Sequence, residues 1–322
     1  MWKTVLRRIL VLIPQLLVIS FAVFILASFM PGDALSGMVD PSLDAATIEA
    51  QRERLGLNNP WYVRYVDWLS GMLVGDFGQS FANRRPVTEV IEERAFNTLW
   101  LAIVTLILTY LIAIPLGVLA GRFKGSALDK GILIYTFVAL SLPTLVLGIL
   151  MILLFAFTFG WFPSGGSVSA LVMSGGSTWE ILANRIHHMV LPAMTGALLG
   201  TIGIVFMLRA NIIERTYSEY VLMARSKGVP TKTIFNKHIL RNSLIPAASG
   251  FSMVVAAQLT GTLFIEMIFQ YPGMGQLFFT SINTRDSAVT NALIIIFAVI
   301  AAMSMLLSDI ILTVVDPRIR IK

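Results

Sequence analysis

Six stretches of this chain are too apolar and too long for a water-soluble fold. They run over about residues 9–30, 98–120, 132–158, 189–208, 246–268 and 289–313. Each can cross a hydrocarbon core of about 30 Å at about 1.5 Å of helical rise per residue. A chain inside a bilayer has no water to satisfy its backbone, so the runs are expected to be helices. With 56% hydrophobic and only 13% charged residues, the chain reads as an all-α polytopic membrane protein of six transmembrane helices. The first run follows Lys3, Arg7 and Arg8, as in a signal peptide. It is 22 uncharged residues long and has no small-residue exit, so it reads as a retained span.

Charge then sets the orientation. If the N-terminus is cytoplasmic, the inner pieces are 1–8, 121–131, 209–245 and 314–322. They hold 16 of the 24 Lys and Arg residues, including every lysine. That is the positive-inside pattern, and an even number of spans returns the basic C-terminus, DPRIRIK, to the same side. The net charge of +6 belongs to these short loops, which points to membrane orientation and not to nucleic acid. No cysteine is present, so disulfides and thiolate metal sites are excluded.

Three units follow: residues 1–30 (cytoplasmic N-terminus and first span), 31–97 (an extracytoplasmic helical insertion) and 98–322 (a five-helix core). In the insertion, Ser42–Leu55 reads as a surface helix. Trp61–Leu73 carries Trp61, Tyr65, Trp68, Leu69 and Met72 at helical spacing, as an interfacial helix would, and Val87–Ala95 reads as a third helix. Pro115 and Pro143 are expected to kink or unwind spans two and three. The Gly- and Ser-rich stretch GWFPSGGSVSALVMSGGS reads as a mobile external loop, with Asn184–His188 leading into span four. Glu266 and Asp309 fall near span boundaries, where hydration is cheap, and structural pairing or gate lining suits them better than ion coupling. After Glu266, MIFQYPGMGQLF should turn back through Pro272, Gly273 and Gly275. Glu266, Phe269, Tyr271, Pro272 and Gly273 are candidate gate or pathway residues.

The polar stretch Asn211–Pro246 reads as folded. Glu219–Lys227 lacks a helix breaker, Gly228 supplies a stop, and Pro230 suits the first turn of a second helix running to Leu240. Two short helices joined at a glycine between two spans would form a stiff docking knob. Chemistry of its own is missing: there is no HExxH, no G-x-S-x-G, no Cys/His cluster, and neither KGVPTKT nor AGRFKGS has Walker A spacing. Energy for any transport must come from elsewhere. A secondary transporter would need intramembrane ion-binding carboxylates, for which only Glu266 and Asp309 are available, and an assembly subunit would need no pathway at all.

The stretch YVLMARSKGVPTKTIFNKHILRNSLIP resembles the cytoplasmic "EAA" signature of permease subunits in binding-protein-dependent ABC importers, of the dipeptide, oligopeptide and nickel branch. Ala224 matches the signature's last alanine and Gly228 its glycine, while Leu222 and Met223 replace the usual Glu and Ala. PGD at Pro31–Asp33, RLGL from Arg54, GDFGQS at Gly75–Ser80, GWFP, HMVLPA, E-x-IF-x-x-PGMG around Glu266 and the terminal DPR are similar to that branch too. The insertion after span one is typical of the B-type member of the permease pair. The resemblance implies a type I importer transmembrane domain in a bacterial or archaeal cell membrane, in contact with membrane lipid. It implies a heterodimer with a homologous second permease, two ABC ATPase subunits that bind the ATP and Mg, an extracytoplasmic substrate-binding protein and a peptide substrate. The chain would be non-catalytic and bind no cofactor. Loop 216–240, within 210–246, would couple to an ATPase through Tyr220, Met223, Ala224, Arg225, Ser226, Lys227, Gly228, Thr231 and Lys232.

Overall fold

The computed structural model describes residues 2–28, 49–50, 53, 58–249 and 251–315. Its described elements are helical: α1 (Trp2–Ser28), α2 (Trp61–Leu73), α3 (Val87–Arg122), α4 (Ala127–Ser141), α5 (Thr144–Thr158, π-helical from Ile152), α6 (Ala170–Gly175) and α7 (Thr178–Thr216). Then come α8 (Glu219–Ser226), a turn at Thr231–Thr233 leading into a π-helical stretch Ile234–Leu240, α9 (Arg241–Ser249), α10 (Phe251–Ile268), α11 (Met274–Asn283) and α12 (Ser287–Val315). Among the described residues, Val87–Arg122, Thr178–Thr216 and Ser287–Leu307 are each long and apolar enough to cross a membrane, and α4 with α5 forms a bent pair that passes the same test.

The centre of the structure is the pairing of α3 with α7. Two helices in lipid gain little from hydrophobicity, so close approach of their backbones has to supply the attraction. Small residues make that approach possible. A Cβ on Gly117 would lie 2.8 Å from Leu208, one on Gly121 would lie 2.8 Å from Ile212, and one on Gly196 would lie 2.9 Å from Thr105. Ala113, Ala120, Ala193 and Ala197 are buried along the same seam. The hydroxyls of Thr109 and Thr195 are satisfied within their own helices, donating to Thr105 O (2.8 Å) and Leu191 O (2.9 Å).

The segment Val87–Ala95 is not a separate external helix. It forms the first turns of α3, because no breaker lies between Pro86, which precedes the helix, and Pro115. Val87, Val90 and Ile91 face one way at helical spacing and bury against Met274, Leu277, Val289 and Leu293. Pro115 leaves α3 uninterrupted, whereas Pro143 ends one helix and begins another, with 107° between α4 and α5. Leu142 is extended, as a residue before proline prefers, and Pro143 stands just before α5, where its missing N–H costs nothing. Asn184–His188 lies inside α7, which starts at a capping box of Ser177 and Glu180.

The Gly/Ser-rich loop contains α6 and is strapped to α7. The Asn184 side chain accepts from Ser169 N (2.7 Å), and His188 bonds Gly165 O (3.0 Å) and Ser169 Oγ (3.1 Å). As its aromatic spacing predicts, Trp61–Leu73 is a helix. Tyr65 bonds Ser20 of α1 (2.8 Å) and stacks edge-on with Phe21 and Phe24. The Gly75–Pro86 turn is pinned from below: Ser80 Oγ donates to the buried Asp286 carboxylate (2.6 Å), which also accepts from Ala82 N (3.1 Å). Expectations for Ser42–Leu55, for PGD and for DPRIRIK lie largely or wholly outside the described residues, as does the Asp309 side chain.

Gly121→Val forces two methyl groups into Ile212, and overpacking of this kind costs about 1–3 kcal/mol. The purified protein should melt several degrees lower than wild type in detergent, whereas Gly131→Ala, an open site inside α4 where nothing lies within 4 Å of the added carbon, should melt no lower than wild type.

Candidate functional site

The polar stretch after α7 folds as a compact knob with a core of its own. Helix α8 ends in a Schellman closure: Gly228 N–H donates to Arg225 O (2.9 Å) and Val229 N–H donates back to Ala224 O (3.2 Å). Gly228 sits at φ +73°, the left-handed conformation this closure needs and L side chains resist. Ala224 and Val229, the flanking pair of the closure, both pack on a cluster of Ile212, Val221, Ile234, Phe235 and Ile239. The matched alanine and glycine are therefore two halves of one turn.

The knob is continuous with the spans. Ile212 belongs to α7, and Val118 of α3 packs on the same cluster. The Arg122 guanidinium lies 4.8 Å from the Phe235 ring centroid, and the Lys124 ammonium lies 5.8 Å from that of Tyr217. Arg209 of α7 holds the buried Asp129 of α4 through two bonds of 2.7 and 2.9 Å, and Asp129 also accepts from Gly125 N (2.8 Å). A buried carboxylate held by a guanidinium fork and a backbone N–H is well compensated. This pair fixes the turn between α3 and α4 to the base of the knob.

Of the residues named from the sequence, Met223, Arg225, Ser226, Lys227, Gly228, Thr231 and Lys232 are exposed on the knob, while Tyr220 and Ala224 are half-buried beneath it. The exposed face also carries Tyr217, Leu222 and Met223, at 70%, 53% and 57% exposure, an apolar centre with basic residues beside it. The sequence reading missed the supports: Ile212, Phe235, Asp129 and Arg209. Asp129 was legible as the acidic residue in a basic loop, but nothing marked its partner.

The second group lies at the opposite end of the spans, around a buried carboxylate. Glu266 is fully buried, and its carboxylate accepts from Thr98 Oγ1 (2.8 Å), Gly275 N (2.6 Å) and Gln276 N (3.3 Å). Thr98 Oγ1 accepts in turn from Met274 N (2.8 Å). The chain reverses after Ile268 and brings the N-terminus of α11 onto the carboxylate, so that N–H donors of the protein take the place open to water at a span boundary. The glycines of the turn permit this approach. A Cβ on Gly273 would collide with the Glu266 carboxylate, and one on Gly275 would lie 2.6 Å from Leu263 Cα. Phe269 and Tyr271 are buried with Leu101 and Leu191, and Pro272 O accepts from Asn97 (2.8 Å). The structure thus brings the five gate candidates together as one elbow packed inside the subunit.

Helices long and apolar enough to cross a bilayer, joined to one folded knob with an apolar and basic face, define an integral membrane protein. The fold is similar to that of a chain in the inward-facing methionine ABC transporter MetNI, with a TM-score of 0.55 at 16% identity over 70% of this chain and 96% of that one. Residues 113–321 match the inner membrane component of binding-protein-dependent transport systems, and residues 1–102 match the N-terminal part of such membrane components. The chain belongs to this family of permease subunits of ABC importers. It is 37% identical to the oligopeptide transport system permease protein AppB of Bacillus subtilis, over 98% of both chains. It is also 31% identical to the glutathione transport system permease protein GsiC of Escherichia coli K12, over the full length of both. Subunits of this family are multi-pass proteins of the bacterial inner membrane, are non-catalytic and bind no cofactor. They work with ATPase subunits, which handle the ATP, and with a binding protein.

Val221→Asp places a carboxylate in the core of the knob, where burial of an uncompensated charge costs several kcal/mol. Trypsin should cut the variant after Arg225 and Lys227 much faster than wild type, while the spans stay intact on gels. Equal cutting rates would show that the knob does not depend on this core.

Proposed function

We propose that the chain spans the membrane six times with both termini in the cytoplasm, forms half of the pathway of an importer for short peptides, and is driven through α8. One homologous permease would complete the pathway, and an ATPase subunit would sit beneath each permease. The distribution of charge supports the orientation, since every lysine then faces the cytoplasm. Oligopeptides and the tripeptide glutathione, named for the two relatives, are both short peptides bearing free carboxylates, and that chemistry is the substrate class proposed here.

The observation that carries the mechanism is the closed turn at Gly228. A turn sealed by two backbone bonds and seated on a buried cluster transmits displacement without deforming. Leu222 and Met223 would enter an apolar groove of the ATPase, Arg225, Lys227 and Lys232 would contact its acidic rim, and Ser226 and Thr231 would bond at the edges. Tyr220, Ala224 and Gly228 would hold the shape. As the ATPases close on ATP, α8 would move with them, and α7 would follow because Ile212 and Val221 share one core.

A Cβ on Gly228 meets no atom within 4 Å, so Gly228→Leu should insert normally. Its φ costs about 1–2 kcal/mol for a side-chain-bearing residue, enough to shift the closed turn roughly tenfold toward open forms. Peptide uptake into vesicles should fall about as much while ATP hydrolysis continues, and unimpaired uptake would count against the docking role. Crosslinks from residues 222–232 should reach an ATPase subunit, with none from 31–97; the reverse pattern would overturn the orientation.

A further inference from the structure

The pairing of α3 with α7 carries a second feature, at the end away from the knob. The close contacts Thr105–Gly196, Gly117–Leu208 and Gly121–Ile212 all join residues 91 positions apart, so the two helices run parallel in one unbroken register. Arg94 and Arg185 share that spacing. Each stands eleven residues before Thr105 or Gly196, about three full turns, which returns its side chain to the facing side of its own helix. Two arginines therefore stand level with each other, beyond the close contact of Thr105 with Gly196.

Their surroundings give neither arginine a carboxylate in direct contact among the described residues. Both are half-buried. Arg94 reaches the elbow through Gln276 Oε1 at 3.4 Å, a long contact, and Arg185 Nε is buried with no hydrogen-bond partner. Arg185 also lies within electrostatic reach of Tyr271, and Arg94 within reach of Glu93 and Glu266. Neither carboxylate is available. Glu93 is held by Arg85 at 2.7 Å, and Glu266 is occupied by Thr98, Gly275 and Gln276. Neither arginine forms an ion pair among the described residues. Two half-buried arginines at one level, one of them with an orphaned buried donor, would each gain from an anion placed between them. A carboxylate fits best, since its two oxygens match the planar fork of each guanidinium.

We propose that Arg94 and Arg185 form an entry site for the carboxylate of the incoming peptide, at the external mouth of the pathway. Asn97 and Gln276, on the elbow side of the same opening, fix the position of the site relative to the 271–276 turn. The guanidiniums take the carboxylate from the delivered cargo and hold that end of the peptide while the elbow is in place. Selectivity for a free carboxylate would then reside partly in the permease and not wholly in the binding protein. This rests on the peptide reading above.

The test uses the whole complex, with ATPase subunits and binding protein, in proteoliposomes. Trialanine and its C-terminal amide are each supplied at concentrations that saturate the binding protein. Wild type should move the free acid faster than the amide by roughly tenfold, the factor a charge-assisted hydrogen bond carries. Arg94→Gln and Arg185→Gln should bring that ratio close to one, and Arg94→Lys and Arg185→Lys should keep most of it. The Lys variants also carry the test if a Gln variant fails to co-purify with its ATPases. Equal losses for acid and amide, or an unchanged ratio in the Gln variants, would overturn the site while leaving the transporter a peptide importer. A wild-type complex that moves neither peptide would overturn the peptide reading and the site with it.

Discussion

Everything else in the subunit is placed by the contact between α3 and α7. Glycines at 117, 121 and 196 let the two backbones approach to within side-chain contact of each other, and dispersion over that length is the main attraction open to helices in lipid. The pairing is also highly specific in register, because each glycine accommodates one particular partner side chain. A slip of one residue would set Cβ atoms against Leu208 and Ile212. The knob at one end and the elbow at the other are then held at fixed positions along a common shaft.

The two ends are closed by different chemistry. At the basic end, an apolar cluster around Val221 and Phe235 is sealed by a backbone-bonded turn, and the adjoining loop is tied down by Asp129 and Arg209. At the other end the cluster of Val87, Leu277 and Val289 is accompanied by buried acidic side chains, Glu266 and Asp286, whose partners are mostly hydroxyls and backbone N–H groups. A carboxylate satisfied in this way is costly to expose or to leave without its donors. The elbow is accordingly well determined although it consists of a turn and a ten-residue helix.

What could be read from the chain before folding follows from whether the cause is local. Gly228 and Pro230, the helical spacing of Trp61, Tyr65 and Trp68, and the break at Pro143 are local devices, and each appears where the residues place it. Pro115 shows the limit of such rules, since neighbouring helices can support a proline that isolated propensity would call a break. The burial of Glu266 was hidden because its donors come from residues 98, 275 and 276, brought together only by the reversal of the chain. Arg209 with Asp129 was hidden for the same reason, being a pair 80 positions apart. Arg94 and Arg185 were unremarkable as separate charges, and their relation depends on a helix register that no single stretch encodes. The family motif was legible at Ala224 and Gly228, yet its physical meaning, one turn with two flanking anchors, needed the hydrogen bonds.

The unbroken length of α7 has a mechanical consequence. Its residues Thr178–Thr216 make a rod of about 58 Å at the usual helical rise, longer than a bilayer core is thick. A stiff rod pivoting near one end converts a small rotation into a sizeable sweep, so a tilt of about 5° at the knob moves the far tip by roughly 5 Å. That displacement is about one helical turn, which is the scale of gap a small solute needs. The gearing therefore comes from geometry alone: the knob end can travel little and still swing the distal end far.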